Sequence, residues 1–147
     1  MLKRFVDLPP VWLLASAGVA WLLAQYLPLA RLGLPDWLGW AIFALGLAWA
    51  ASATVIFARK KTPVEPRKTP KVLLTTGAFR VNRNPIYTGM TVMLIGWALV
   101  LGAVTAFLPA IAFPFIITNR FVLKEEEELR AQFGPQAEEF FSRSRRW

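Results

Sequence analysis

Apolar and polar positions fall in long blocks along this chain. Val11 to Leu27 is the first apolar run, preceded by Lys3, Arg4 and Pro9-Pro10 and closed by Pro28. Trp37 to Ala58 is the second, 22 residues without a charge, enough to cross about 30 Å of hydrocarbon as a helix. Ile86 to Leu101 and Ala103 to Thr118 form the third and fourth, joined around Gly102 with no charge between them. The fourth contains Pro109 and Pro114, which a membrane helix tolerates where neighbours satisfy the freed carbonyl. These last two runs predict a tight helical hairpin. Gly89 and Gly96 share one face of its first helix, which permits close approach by another helix or a ligand.

Composition places these blocks in a membrane. Hydrophobic residues make up 56% of the 147, and seven residues are tryptophan; a soluble domain of this size has too little interior for them. The expected fold class is an all-α, integral membrane helical bundle of about four transmembrane helices, followed by a cytoplasmic C-terminal helix. Residues 1–147 are expected to form a single membrane-embedded domain. Ala15-Ser16-Ala17 has the look of a signal cleavage site but follows only a few apolar residues after the prolines, so the first run reads as a retained helix. Cysteine and histidine are both absent, which excludes disulfides, thiolate chemistry and histidine acid–base catalysis. No metal site is expected.

The net charge is +8, and its placement orients the bundle. Residues 59–83 carry Arg59, Lys60, Lys61, Arg67, Lys68, Lys71, Arg80 and Arg83 against Glu65 alone. Between apolar spans, such a run reads as a cytoplasmic loop that meets anionic lipid, and not as a nucleic-acid surface. Both termini and this loop then share the cytoplasmic side, and so do two polar clusters.

The first cluster lies in GAFRVNRNPIYTGM, residues 77–90. Asn84-Pro85 reads as a helix start, with asparagine as cap and proline at the first helical position. Tyr87 falls in the first turn and Arg83 just outside it. Free backbone N–H groups beside an arginine suit a carboxylate or phosphate, while a capped helix with a snorkelling Arg83 is the plainer alternative. The second cluster is FVLKEEEELRAQFG, residues 121–134. Wound as a helix, Phe121, Val122, Leu129 and Phe133 make one apolar stripe. Glu125 and Glu126 border it, at about 40° and 140° from Phe121, while Glu127 lies opposite at about 240°. Glu126 and Arg130 are spaced as a surface ion pair.

Together these residues resemble the superfamily of isoprenylcysteine carboxyl methyltransferases and phospholipid methyltransferases. Its first element, Arg-His-Pro-x-Tyr or Arg-Asn-Pro-x-Tyr followed by Gly, is matched by Arg83-Asn84-Pro85-Ile86-Tyr87-Thr88-Gly89, after Thr76-Gly77-Ala78-Phe79-Arg80. Its second is matched by Glu125-Glu126, Leu129 and Phe133-Gly134, ending in Arg146-Trp147. The likeness spans roughly residues 57–147. Asn84 stands where the eukaryotic carboxyl methyltransferases have histidine, and Ala137 and Phe140 stand where tyrosines are often found. The resemblance implies a pocket for S-adenosylmethionine built by Gly77, Arg83, Asn84, Pro85, Tyr87, Gly89, Glu125 and Glu126. It also implies a lipophilic acceptor reaching the pocket from the bilayer, a prenylated or isoprenoid carboxylate or a phospholipid amine, oriented by Glu125, Glu126 or Arg120. Alternatives are a small-thiol methyltransferase of the same fold, a nicotinamide-dependent reductase of related architecture, a small transporter and a non-catalytic membrane module.

Overall fold

The computed structural model describes residues 8–62 and 72–147. Lys3, Arg4 and the central part of the basic loop, including Glu65, Arg67, Lys68 and Lys71, lie outside the described residues. Among the described residues six α-helices follow in order: α1 (Pro9–Tyr26), α2 (Asp36–Arg59), α3 (Pro85–Leu101), α4 (Phe107–Ile117), α5 (Leu123–Phe133) and α6 (Pro135–Arg143). Among the described residues there is no strand, only two isolated bridges, Arg31 with Ala103 and Asn82 with Arg145. The chain is all-α, as its apolar blocks predict.

Among the described residues two helical stretches are long and apolar enough to cross a membrane, Asp36–Arg59 and the continuous run Val104–Phe133; α3 is a shorter apolar helix. Pro9 and Pro85 each stand at a helix start, where a missing N–H costs no intrahelical bond. Gly102 ends α3 in a left-handed conformation with φ +63, and its N–H returns to the carbonyls of Ala98 and Leu99. One 3₁₀ turn, Val104–Ala106, then leads into α4. Pro114 lies inside α4 without ending it. The run instead loosens into a π-helical turn at Thr118–Val122 before α5.

Helices α2 and α3 form the most extensive pair. A Cβ on Gly89 would lie 2.6 Å from the Gly46 carbonyl oxygen, and one on Gly96 2.4 Å from the Phe43 nitrogen. The glycines expected to allow close approach therefore serve a helix. Backbone meets backbone here, and dispersion between the two helices replaces the missing side chains. Helices α1 and α4 pack on the remaining sides of α3, around Leu94, Ala110, Phe113, Ile117, Phe121 and Val122. At the end bearing Gly102, Arg31 donates to the carbonyls of Leu101 and Ala24, and Leu32 N–H to that of Gly102. The motif residues gather at the opposite end of α3.

Candidate functional site

Pro85 and the residues before it fix where Tyr87 points. The α3 helix begins at Pro85, so Tyr87 turns inward on its first turn and is 8% exposed, packed with Met90, Leu94 and Phe121. A tyrosine hydroxyl buried in such a place needs a partner. Glu125 supplies it: the Tyr87 hydroxyl donates to Glu125 Oε1 at 2.7 Å. The glutamate reaches this point because α5 continues from the buried π turn carrying Phe121 and Val122.

Glu126, the next residue, is 4% exposed. Arg146 meets it with a two-point contact, Nε to Oε1 at 2.9 Å and Nη2 to Oε2 at 2.7 Å. Glu127 and Glu128 are exposed. The winding of the sequence thus separates the inner glutamates from the outer ones as observed. The expected Glu126–Arg130 surface pair does not form. Arg130 bonds Glu138 at 2.7 Å instead, because Glu126 points inward, to where Arg146 can take both of its oxygens.

The last residues return across the site. Arg83 N–H donates to the Arg145 carbonyl at 2.7 Å, and Asn84 Nδ2 to the Arg146 carbonyl at 3.0 Å. Asn84 occupies the cap position, yet its side chain makes no capping bond. That corrects the capping expectation: the carboxamide is spent on the C-terminal segment. Thr88 holds the Asn84 carbonyl through both its N–H and its hydroxyl. The same hydroxyl oxygen accepts from Asn82 Nδ2 at 2.9 Å.

Arg83 is less well satisfied. Its Nε is buried without a hydrogen-bond partner, 3.9 Å from Glu126 Oε1. The guanidinium stacks 4.8 Å from the Phe141 ring centre, and Arg130 stacks on the same ring at 4.8 Å. Burial lowers the Arg83 pKa, Glu126 opposes that, and Arg146 and Arg130 add to the lowering. The hydrogen bond to Glu126 raises that of Arg146. One buried carboxylate thus stands among three guanidiniums, and one of those retains an unused donor. An anion would complete it.

The remaining expected residues lie elsewhere around this core. Gly77 opens a 3₁₀ turn with φ +61, and a Cβ there would meet Ile56 Cδ1 at 2.6 Å. Gly89 faces α2, about half a turn from Tyr87. Arg120 sits in the π turn with its guanidinium 5.3 Å from the Trp12 ring centre. Asn82 and Phe141 went unremarked in the sequence. Asn82 is 4% exposed and its Oδ1 has no partner, yet a single asparagine in a basic loop gives no signal of burial. Among the described residues no group of acidic side chains could hold a metal.

Beside this polar end, α1 and α2 both lean on α3 and leave a cleft of about 530 Å³ between them. Its walls are apolar, with Leu13 on α1, Leu47, Ala51 and Val55 on α2, and Ile86, Met90 and Met93 on α3. Ile86, in the first turn of α3, brings the cleft to the end of the helix that carries Tyr87.

Apolar helices carrying a polar, arginine-rich cluster at one end of the bundle define a membrane-embedded protein. The chain belongs to the phospholipid methyltransferase family, whose sequence profile matches residues 35–136. It is by that membership a membrane methyltransferase. No curated protein and no solved structure matches it.

Proposed function

We propose that this protein transfers the methyl group of S-adenosylmethionine to a lipophilic acceptor at the cytoplasmic face of the membrane, as a single domain with four spans. The observation that carries this reading is the unpartnered, buried Nε of Arg83 beside the Tyr87–Glu125 pair. A zwitterionic amino-acid end needs one anion acceptor and one cation acceptor. Arg83, with Asn84 and Pro85 at the start of α3, suits the carboxylate. Glu125, steered by Tyr87, suits the ammonium. Glu126 holds Arg146 in place, and Gly77 and Gly89 let the surrounding elements close up.

S-adenosylmethionine supplies an activated methyl group whose transfer is an in-line displacement. The protein must align the two reactants and keep water away, and strong acid–base groups are not required. A site without histidine or cysteine fits that demand. The acceptor's hydrocarbon part suits the cleft ending at Ile86, with Arg120 near the interface to orient a polar head. The acceptor is a prenylated or isoprenoid carboxylate or a phospholipid amine, and anionic lipid covers the basic loop.

Equilibrium binding to detergent-purified protein tests this reading. S-adenosylmethionine should bind, and reduced nicotinamide cofactors should not. Arg83→Lys should weaken binding at least tenfold, about 1.4 kcal/mol, because lysine lacks the planar fork. Unchanged binding by that variant would make Arg83 an interfacial anchor and end the assignment.

A further inference from the structure

Two arginines approach one carboxylate, and only one of them wins it. Arg146 occupies both oxygens of Glu126 at 2.7 and 2.9 Å. Arg83, with its Nε 3.9 Å from Oε1, gets no hydrogen bond from the same group. The arrangement is costly for Arg83, since a buried guanidinium donor without an acceptor loses its hydration for nothing. Something must prevent Arg83 from closing the last ångström onto Glu126. Arg146 is that obstacle. It sits on the C-terminal segment, pinned by two further bonds, from Arg83 N–H to the Arg145 carbonyl and from Asn84 Nδ2 to the Arg146 carbonyl.

We propose that Arg146 is a positioning residue that keeps Glu126 from capturing Arg83, and so leaves Arg83 open to the carboxylate of the incoming ligand. The inference rests on the S-adenosylmethionine reading for the ligand's identity, but not for the competition itself. It divides the glutamate pair. Glu125 faces the ligand through Tyr87, while Glu126 ties the C-terminal segment to α5. Without Arg146, Arg83 forms the two-point contact with Glu126, and the anion site closes.

A purely structural Arg146 would act differently, by anchoring the C-terminal segment. The two roles separate in a double-variant cycle. Arg146→Ala should weaken S-adenosylmethionine binding about tenfold while leaving the affinity for its decarboxylated analogue unchanged. Adding Glu126→Gln removes the competing carboxylate, and Arg146→Ala/Glu126→Gln should recover most of the lost affinity. Arg146→Lys should fall between parent and Arg146→Ala, since a single ammonium cannot cover both oxygens. If the double variant binds as weakly as Arg146→Ala, or more weakly, Arg146 is an anchor and the proposal is overturned. Equal losses for the ligand and its decarboxylated analogue would overturn it too.

A ligand-free measurement keeps the test independent. The Nε–H resonance of Arg83 in ¹⁵N-arginine protein, assigned by its loss in Arg83→Lys, should shift in Arg146→Ala as the side chain gains a carboxylate. It should return in the double variant. A resonance identical in parent and Arg146→Ala would refute the competition. Should the parent fail to bind S-adenosylmethionine while this resonance behaves as described, the cofactor assignment falls and the role of Arg146 stands.

Discussion

Replacing Tyr87 by phenylalanine removes one oxygen and little else. The ring stays where it packs, among Met90, Leu94 and Phe121, so no cavity larger than the hydroxyl opens. What is lost is the 2.7 Å bond to Glu125, a bond to a charged acceptor when Glu125 is ionised. Such a bond is worth about 1.5–3 kcal/mol. For a chain of this size that is roughly 3–12 °C in unfolding temperature, readable in mild detergent from the fluorescence of seven tryptophans. Glu125→Gln keeps an acceptor but removes the charge, so in that background Tyr87→Phe should cost only about 0.5–1.5 kcal/mol, the value of a neutral bond. The cycle therefore predicts a coupling of about 1 kcal/mol. Loss of affinity for S-adenosylmethionine should follow the same ordering. Equal shifts in both backgrounds, or no shift in either, would show that the pair does not hold Glu125 in place.

Gly96→Ala should destabilise the protein by about 1–3 kcal/mol, the usual cost of overpacking, because its Cβ would lie 2.4 Å from the Phe43 backbone nitrogen, which cannot swing aside. Gly18→Ala, with nothing within 4 Å of the added carbon, should be neutral or slightly stabilising; matching melting temperatures for the two would deny the close α2–α3 contact. Glu126→Gln should cost about 1–3 kcal/mol of stability, since it uncouples a buried carboxylate from Arg146, whereas the exposed Glu127→Gln should stay within about 0.5 kcal/mol in the same melts. Reporter fusions at Asp36 and Glu65 should fall on opposite sides of the membrane, and same-side signals would remove the four-span topology.

Local rules carried far along this sequence, and failed where a partner was distant. The start of α3 at Pro85 and its end at Gly102 follow from the backbone preferences of those two residues alone. The inward turn of Glu126 and the outward turn of Glu127 follow from helical periodicity and the Phe121–Phe133 stripe. Asn84 obeyed a different constraint. Its carboxamide serves the Arg146 carbonyl 62 residues away, and no spacing rule links them. Glu126 likewise left Arg130, four residues on, for Arg146, 20 residues on. A local pair is only a default, and burial of one member is enough to redirect it. The π turn at Thr118–Val122 has no sequence mark, although it sets which way both glutamates face.

The cleft between α1 and α2 changes what counts as the folded protein. Two helices that both rest on α3 leave between them an open apolar groove that side chains do not fill. In a membrane hydrocarbon would fill it, so part of the packing around α3 would be borrowed from the bilayer. By mass action, whatever fills the gap stabilises the bundle in proportion to its affinity and concentration. A melting temperature for this chain then belongs to the protein together with its amphiphile, and detergents of different tail length measure different assemblies. Exchange of lipid for detergent during purification is, for this molecule, a substitution in the core.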